Sequence, residues 1–448
     1  MFSEKFEQTM KKSNIVKLIL TAFVFGASSF AGAQDKATLD ILVSKGIITQ
    51  DEAGKILKSS SIQVKAKEKE TVKLTFSGRI HEQFMWIKSE ADDPFYKDTS
   101  TKSGFRMRRM YLGMAAELAN GWSGNLVLDF AKTTNNGANY LDSATISKKI
   151  DWEFLNGKLD VGYKKVNFVF EENTSSSKLL SIERSPATRY FVEAQSSGTK
   201  GNIGFGSRYT GVFWDGKADA VKGLSYSFAV TNPQNYAIKP NNSGTDNTVN
   251  LWASVNYKND ADTSIGKLKY EIGLNAGYGM GANITTDGYS DNGYIVGANP
   301  YFKITLDNFT LWGEYMMANI QYGKKDAAGN FQDATPQGVN VGAEYKFDCG
   351  FIGQIAPTVR YSGLFTDGRG AKISDTINSA ANVSSGGSDY YKNANSIFAG
   401  INWYIDGNSV KLQAGYEYAR FSGSPSNESF ASKSADVNAF RTQLQILF

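Results

Sequence analysis

Three arginines stand within four positions in the stretch GFRMRRMYLGM, residues 104–114: Arg106, Arg108 and Arg109. A guanidinium cannot lose its charge at any pH a cell reaches, and its planar fork fits oxyanions such as carboxylate and phosphate. Set among methionine, tyrosine and leucine, these residues read as a strand, and a strand needs somewhere to put them. An arginine facing lipid at mid-bilayer costs about 2–4 kcal/mol, and one left unpaired in a soluble core costs at least as much. The stretch therefore asks for an interior that is wet and favours positive charge. Strict alternation puts Arg106 and Arg108 with Met110, Leu112 and Met114, and Arg109 with Tyr111 and Gly113. A bulge near Arg108 would switch the phase and turn the arginines to one side.

Other chemistry is thinly supported. The chain has one histidine, His81, and any Ser-His-acid triad would have to use it. No GxSxG elbow accompanies it, so the reading is not an enzyme, with a barrel hydrolase as the alternative set aside. One cysteine, Cys349, far from that histidine, offers neither a metal set nor a disulfide framework. The glycines of GYGMGANITTDG end a strand with no helix after them, so no phosphate-cradling loop and no cofactor motif is present. The acidic tips SEADDPFYKD and YSDNGY are ordinary solvated loops that could meet surface calcium or lipopolysaccharide counterions.

The elements that must position the arginines begin after a processing signal. Lys11, Lys12 and Lys17 precede the apolar run LILTAFVFGASSFAGA, which ends in Ala31, Gly32 and Ala33. Residues 1–33 read as a signal peptide, with Met10 as an alternative start. Its removal takes away four lysines and two glutamates from a chain of net charge +4, leaving it close to neutral and giving no case for nucleic acid. Residues 34–71 read as a periplasmic appendage, a helical hairpin over 37–58 and a charged tether.

From residue 72 to 448 the helical period gives way to alternation in segments of about 10 to 13 residues. In NAFRTQLQILF, Phe440, Leu444, Ile446 and Phe448 oppose Arg441, Gln443 and Gln445. Segments of this kind start near residues 72, 104, 122, 138, 157, 203, 223, 248, 267, 292, 308, 337, 353, 394, 408 and 437. Short connections (119–121, 306–308, 406–408) alternate with long ones (88–103, 167–202, 366–393, 422–436). This predicts an all-β fold, a 16-stranded antiparallel transmembrane β-barrel with periplasmic turns and external loops. A large soluble β-protein also alternates, but aromatic strand ends and a terminal Phe448 on the apolar face favour the barrel.

Parity then fills the lumen. Arg79, Lys164, Arg208, Lys269, Lys303, Lys346, Arg360, Lys411 and Arg441 fall inward, with Glu117, Asp129, Glu271, Glu314, Glu344 and Glu417 as inward acids. Bases outnumber acids, which in a low-dielectric wall concentrates anions. A channel of this width selects only if something narrows it. The connection 167–202 keeps Phe168, Phe170, Leu179, Leu180 and Ile182, which a fully exposed loop would not hold. Folded inward, it would offer Lys178, Arg184, Arg189 and the hydroxyls of Ser175–Ser177.

The series TLDILVSKGIITQDEAGKIL, FSGRI, FRMRRMYLGM, LVLDFA, LDVGYKKVNFVFEE and SIERSPATRYF, in that order, resembles the phosphate-selective porin O and P family. The resemblance implies an outer-membrane homotrimer whose third external loop folds inward, with an arginine ladder and a lysine cluster that pass phosphate or other small anions. On matching positions Arg108 and Arg109 resemble ladder residues, Lys164 or Lys165 a lysine at the loop base, and Arg184 an eyelet arginine. The sequence departs at GFGSRYTGVFW, where Arg208 stands in place of a closely spaced arginine run. That departure puts anion preference ahead of tight phosphate selectivity. The alternatives are a general small-solute porin and a plugged barrel acting in binding or adhesion. Expected partners are outer-membrane lipid or lipopolysaccharide and the barrel-assembly machinery, met through Phe448.

Overall fold

The computed structural model describes residues 61–66, 70–93, 96–131, 140–152, 155–193, 199–233, 248–280, 293–377, 390–425 and 433–448. The chain divides into Met1–Val64 and Lys65–Phe448. The signal peptide expected over 1–33 and the hairpin over 37–58 lie outside the described residues. Part of the expected tether, Ser61–Ala66, is a strand.

The second unit is a closed barrel. Its strands are β1 (Glu70–Asp93), β2 (Tyr96–Leu118), β3 (Trp122–Asp129), β4 (Leu141–Trp152), β5 (Leu155–Lys165), β6 (Arg208–Lys217), β7 (Leu224–Thr231) and β8 (Asn250–Thr263). They continue as β9 (Gly266–Met280), β10 (Tyr294–Leu306), β11 (Phe309–Lys325), β12 (Gln337–Tyr345), β13 (Gln354–Phe365), β14 (Asn393–Asp406), β15 (Val410–Ser422) and β16 (Ser434–Leu447). Each pairs antiparallel with the next. Closure comes from β16 against β1, with Leu447 opposite Arg79. A closed ring leaves no edge and satisfies the strand backbone internally, which is what crossing hydrocarbon demands. The barrel is the transmembrane fold that the alternation predicts.

Strand starts lie within a few residues of their predicted positions, with β2 as the main departure. The expected long loop 88–103 is instead a hairpin in which β1 and β2 run on past the barrel wall. Over Thr99–Ser103 the β2 residues are polar and largely exposed on both faces, so alternation carries no signal there, whereas Ile87, Ser89 and Ala91 of β1 stay buried on one face. Two-sidedness is clearest on β16: Phe440, Leu444 and Ile446 are 39–43% exposed, whereas Arg441, Gln443 and Gln445 are at most 1% exposed.

The register of β1 with β2 slips once. His81 faces Arg109 but Glu82 faces Met107, which leaves Arg108 as an extra residue. This bulge turns the phase, so that Arg106 stands opposite Gln83 on the same side as Arg109 while Phe105 and Met107 face outward, 79% and 44% exposed.

Candidate functional site

The connection from β5 to β6 carries two short helices, α1 (Phe170–Asn173) and α2 (Pro186–Val192). Helix α2 starts where the sequence dictates: Ser185 is its N-cap and accepts a hydrogen bond from the Thr188 amide, and Pro186 occupies the first turn. Apolar residues seat the loop. Phe168 packs on Phe205 and Trp252, at ring distances of 5.0 and 5.8 Å, and Phe170 stacks on Tyr301 at 4.5 Å. Phe168, Tyr190, Phe191 and Phe205 are at most 1% exposed, each contributing about 1.5–3 kcal/mol of burial. Helix α2 lies on β12, β13 and β14.

Polar contacts fix the seat. The carboxylate of Glu314 on β11 accepts the Phe170 amide at 2.9 Å and the side-chain amides of Asn299 and Asn340 at 3.0 and 2.9 Å. Lys411 donates to the carbonyls of Ser177 and Leu179, and Asn402 to that of Leu180. Without such partners a buried loop backbone would be left unsatisfied.

On the β1–β6 side the contacts are ionic, and two loop glutamates organise them. Glu183 takes a two-pronged bond from Arg108, Nε at 2.6 Å and Nη2 at 2.9 Å, and further bonds from Arg106 at 3.0 Å and Arg189 at 2.7 Å. Glu172 holds Lys165 and Arg184, each at 2.7 Å, with Arg208 at 3.8 Å. Arg208 also bridges to Asp142 at 2.9 Å. Arg79 donates to Ser176 at 2.6 Å and Ser175 at 3.1 Å and lies over the Tyr111 ring. Arg109 sits 3.4 Å from His81 Nδ1. These eight cations outnumber Glu172, Glu183, Glu193, Asp129 and Asp142 by three. The local field is positive although most bases have a partner.

The ten residues singled out by sequence separate into groups. Arg79, Arg108, Arg109, Lys165, Arg184 and Arg208 come together along the β1–β6 side of the loop. Lys164 is nearby but bonded to Asp160 at 2.6 Å and Asp215 at 2.8 Å. Lys178 is exposed and borders a cavity shared with Lys303 and Trp312. Arg189 and Arg360 are buried, as is Arg109. Arg108 and Lys165 keep 20% and 24% of their side-chain surface, whereas Arg189 and Arg360 keep 2%. Arg360 is enclosed by Glu171, Ser181 and Glu417 and so fastens the loop to the wall, whereas Arg189 ties Glu183 and Glu193 together within the loop. Sequence reasoning missed Glu171, Glu172, Glu183 and Asp142. The available signal was acids interleaved with the bases of an apolar loop, as in FVFEEN and SIERS.

Burial pushes the Glu172 carboxyl up, but Arg184, Lys165 and Arg208 outweigh it and hold it at about 2. Glu183 is likewise held well below the carboxylate range, against its burial, by Arg108 and Arg189. A depressed carboxylate adds stability that is full above its unfolded value and is lost as pH falls through the folded one. For Glu172 this is worth about 3 kcal/mol. The loop is therefore expected to stay seated from pH 7 to 5 and to loosen only as pH approaches 2–3. Resistance of the loop to protease over that range, with single-channel noise as a second readout, checks this.

A family model described as phosphate-selective porin O and P matches residues 79–448. Among solved structures, the anion-selective porin from Comamonas acidovorans aligns with a TM-score of 0.54 at 13% identity, over 84% of this chain and all of that one. The outer membrane channel DcaP of Acinetobacter baumannii aligns at 0.50 and 14%, over 86% of this chain and 99% of its own. At such identities these two likenesses are of fold. No curated protein matches the sequence. Family and fold together point to an outer-membrane channel rather than an enzyme, and the chain belongs to the phosphate-selective porin O and P family.

Proposed function

We propose that the barrel is an anion-preferring porin for passive uptake of phosphate-like or other small anions, with Arg79, Arg108, Arg109, Lys165, Arg184 and Arg208 along the passage. The observation that carries this is the excess of cations over carboxylates where the inward loop meets β1–β6, with several guanidinium groups still partly exposed. A fixed positive field in a narrow, low-dielectric passage raises the local anion concentration and repels cations. In a bilayer under a potassium chloride gradient, the reversal potential is expected on the chloride side. A cation-side potential would refute the reading.

The general anion channel is favoured over a high-affinity phosphate channel because Glu183 and Glu172 already occupy the guanidinium forks that a phosphate would need. Phosphate added to a chloride solution is accordingly expected to leave chloride current nearly unchanged at sub-millimolar levels, and strong block at that level would restore the specific reading. A homotrimer in outer-membrane lipid or lipopolysaccharide, delivered by the barrel-assembly machinery through Phe448, completes the proposal. Phe448 suits that role: its ring is 59% exposed and its backbone is paired with Gly78.

A further inference from the structure

Most cations on the β1–β6 side of the loop are answered by carboxylates, but where the loop meets β10 and β11 two ammonium groups are not. Lys178 of the loop and Lys303 of β10 border one cleft beside α1, and both are exposed. Among the described residues neither ammonium has an ion pair or a hydrogen-bond partner. The acids nearby are engaged elsewhere. Glu171 meets Arg360 at 3.3 Å and accepts the Ser185 amide at 2.9 Å, and Glu271 is held by Lys258 at 3.2 Å and by the Tyr301 hydroxyl at 3.2 Å. The rest of the cleft is mainly apolar. Phe170 and Trp312 line it, their ring centroids 5.9 Å apart, together with Leu179 and Leu180. Phe170 is stacked on Tyr301 and Trp312 is 7% exposed, so both rings are already held in place. With its open mouth the cleft measures about 380 Å³, the size of a small-molecule site. Thr310 also lines it, near the start of β11, which puts the cleft at the short-turn end of the barrel.

We propose that this cleft is a low-affinity site for small aromatic carboxylates, with the ring against Phe170 and Trp312 and the carboxylate shared by Lys178 and Lys303. The inference rests on the anion-porin reading and adds a substrate class to it. An inorganic anion would use the two ammonium groups and leave the aromatic surface wet, whereas a carboxylate on a ring satisfies the charge and buries the apolar wall together. No protein carboxylate has to be displaced first, in contrast to the guanidinium groups that Glu172 and Glu183 hold. The open mouth lets the ligand leave again, as conduction requires of any site along a passage.

The test records chloride current through the full-length channel in a planar bilayer, with benzoate or acetate added on the side of the short turns. Benzoate is expected to block at about one-tenth of the concentration that acetate needs, because only benzoate buries a ring. Lys178→Gln and Lys303→Gln, both at exposed positions, are each expected to weaken the benzoate block roughly threefold. The reversal potential should stay on the chloride side in both, since the cations along β1–β6 are untouched. Equal block by the two acids, or none by either, in a chloride-selective channel would overturn the site and leave the porin reading standing. Benzoate block that survives both substitutions would overturn it too, by placing the ligand elsewhere. A cation-side reversal potential in the parent channel would instead overturn the anion-porin reading, whatever benzoate does.

Discussion

Glutamine in place of Glu183 is expected to unseat the loop at the β2 side and to give the largest loss of stability of any single change in the passage. The Glu183 carboxylate is the shared partner of Arg106, Arg108 and Arg189, and Arg189 is 2% exposed. Removing one partner of a buried ion pair leaves the other charge uncompensated, which costs about 3–5 kcal/mol. Here three guanidinium groups lose their common acceptor and repel one another, so the upper part of that range applies. The readouts are an earlier heat-induced shift from folded to unfolded mobility and frequent partial closures in single-channel records. Glu183→Asp keeps the charge and is expected to recover most of both. A quiet, full-stability channel in Glu183→Gln would show that the network does not hold the loop.

The second large effect concerns selectivity. Replacing Arg108 and Arg109 together with glutamine is expected to reduce the anion-over-cation permeability ratio by roughly thirtyfold or more. A unit charge about 8 Å from a passing ion, in a partly aqueous lumen, is worth roughly 1 kcal/mol, and two such contributions multiply in the ratio. Glu183 keeps Arg106 and Arg189 in this variant, so the loop has a reason to stay. The same substitutions move a net charge of two out of the passage, so chloride conductance should fall with the ratio. Reversal potentials in graded potassium chloride measure the change, and an unaltered ratio would remove these arginines from the pathway.

Much of this was legible without coordinates, for a physical reason. A wall that separates lipid from water imposes a two-residue period on every strand, which is why β9, β12 and β16 could be read directly and why the phase error at Arg108 exposed a bulge. The limits have causes too. Over Thr99–Ser103 β2 is largely exposed on both faces, and the period disappears. Parity tells on which side of the wall Arg360 lies, but not that a loop from elsewhere in the chain covers it. The acids of that loop carry no period at all. Glu172 and Glu183 become meaningful only once the fold sets them against Lys165 and Arg108.

The seat of that same loop also dictates an order of events. Ser177 meets Lys411 and Gln445, partners 234 and 268 positions away in the chain, and Glu171 meets Arg360, 189 positions away. Contacts of such sequence separation form late and slowly, since a long stretch of chain must be ordered before they stabilise anything. The loop emerges after the fifth strand, yet its resting place is not complete until the sixteenth has joined the first. Closing the seam and seating the loop are therefore one terminal act of assembly, and a barrel halted before its last strand would hold an unsettled loop and an unfinished channel.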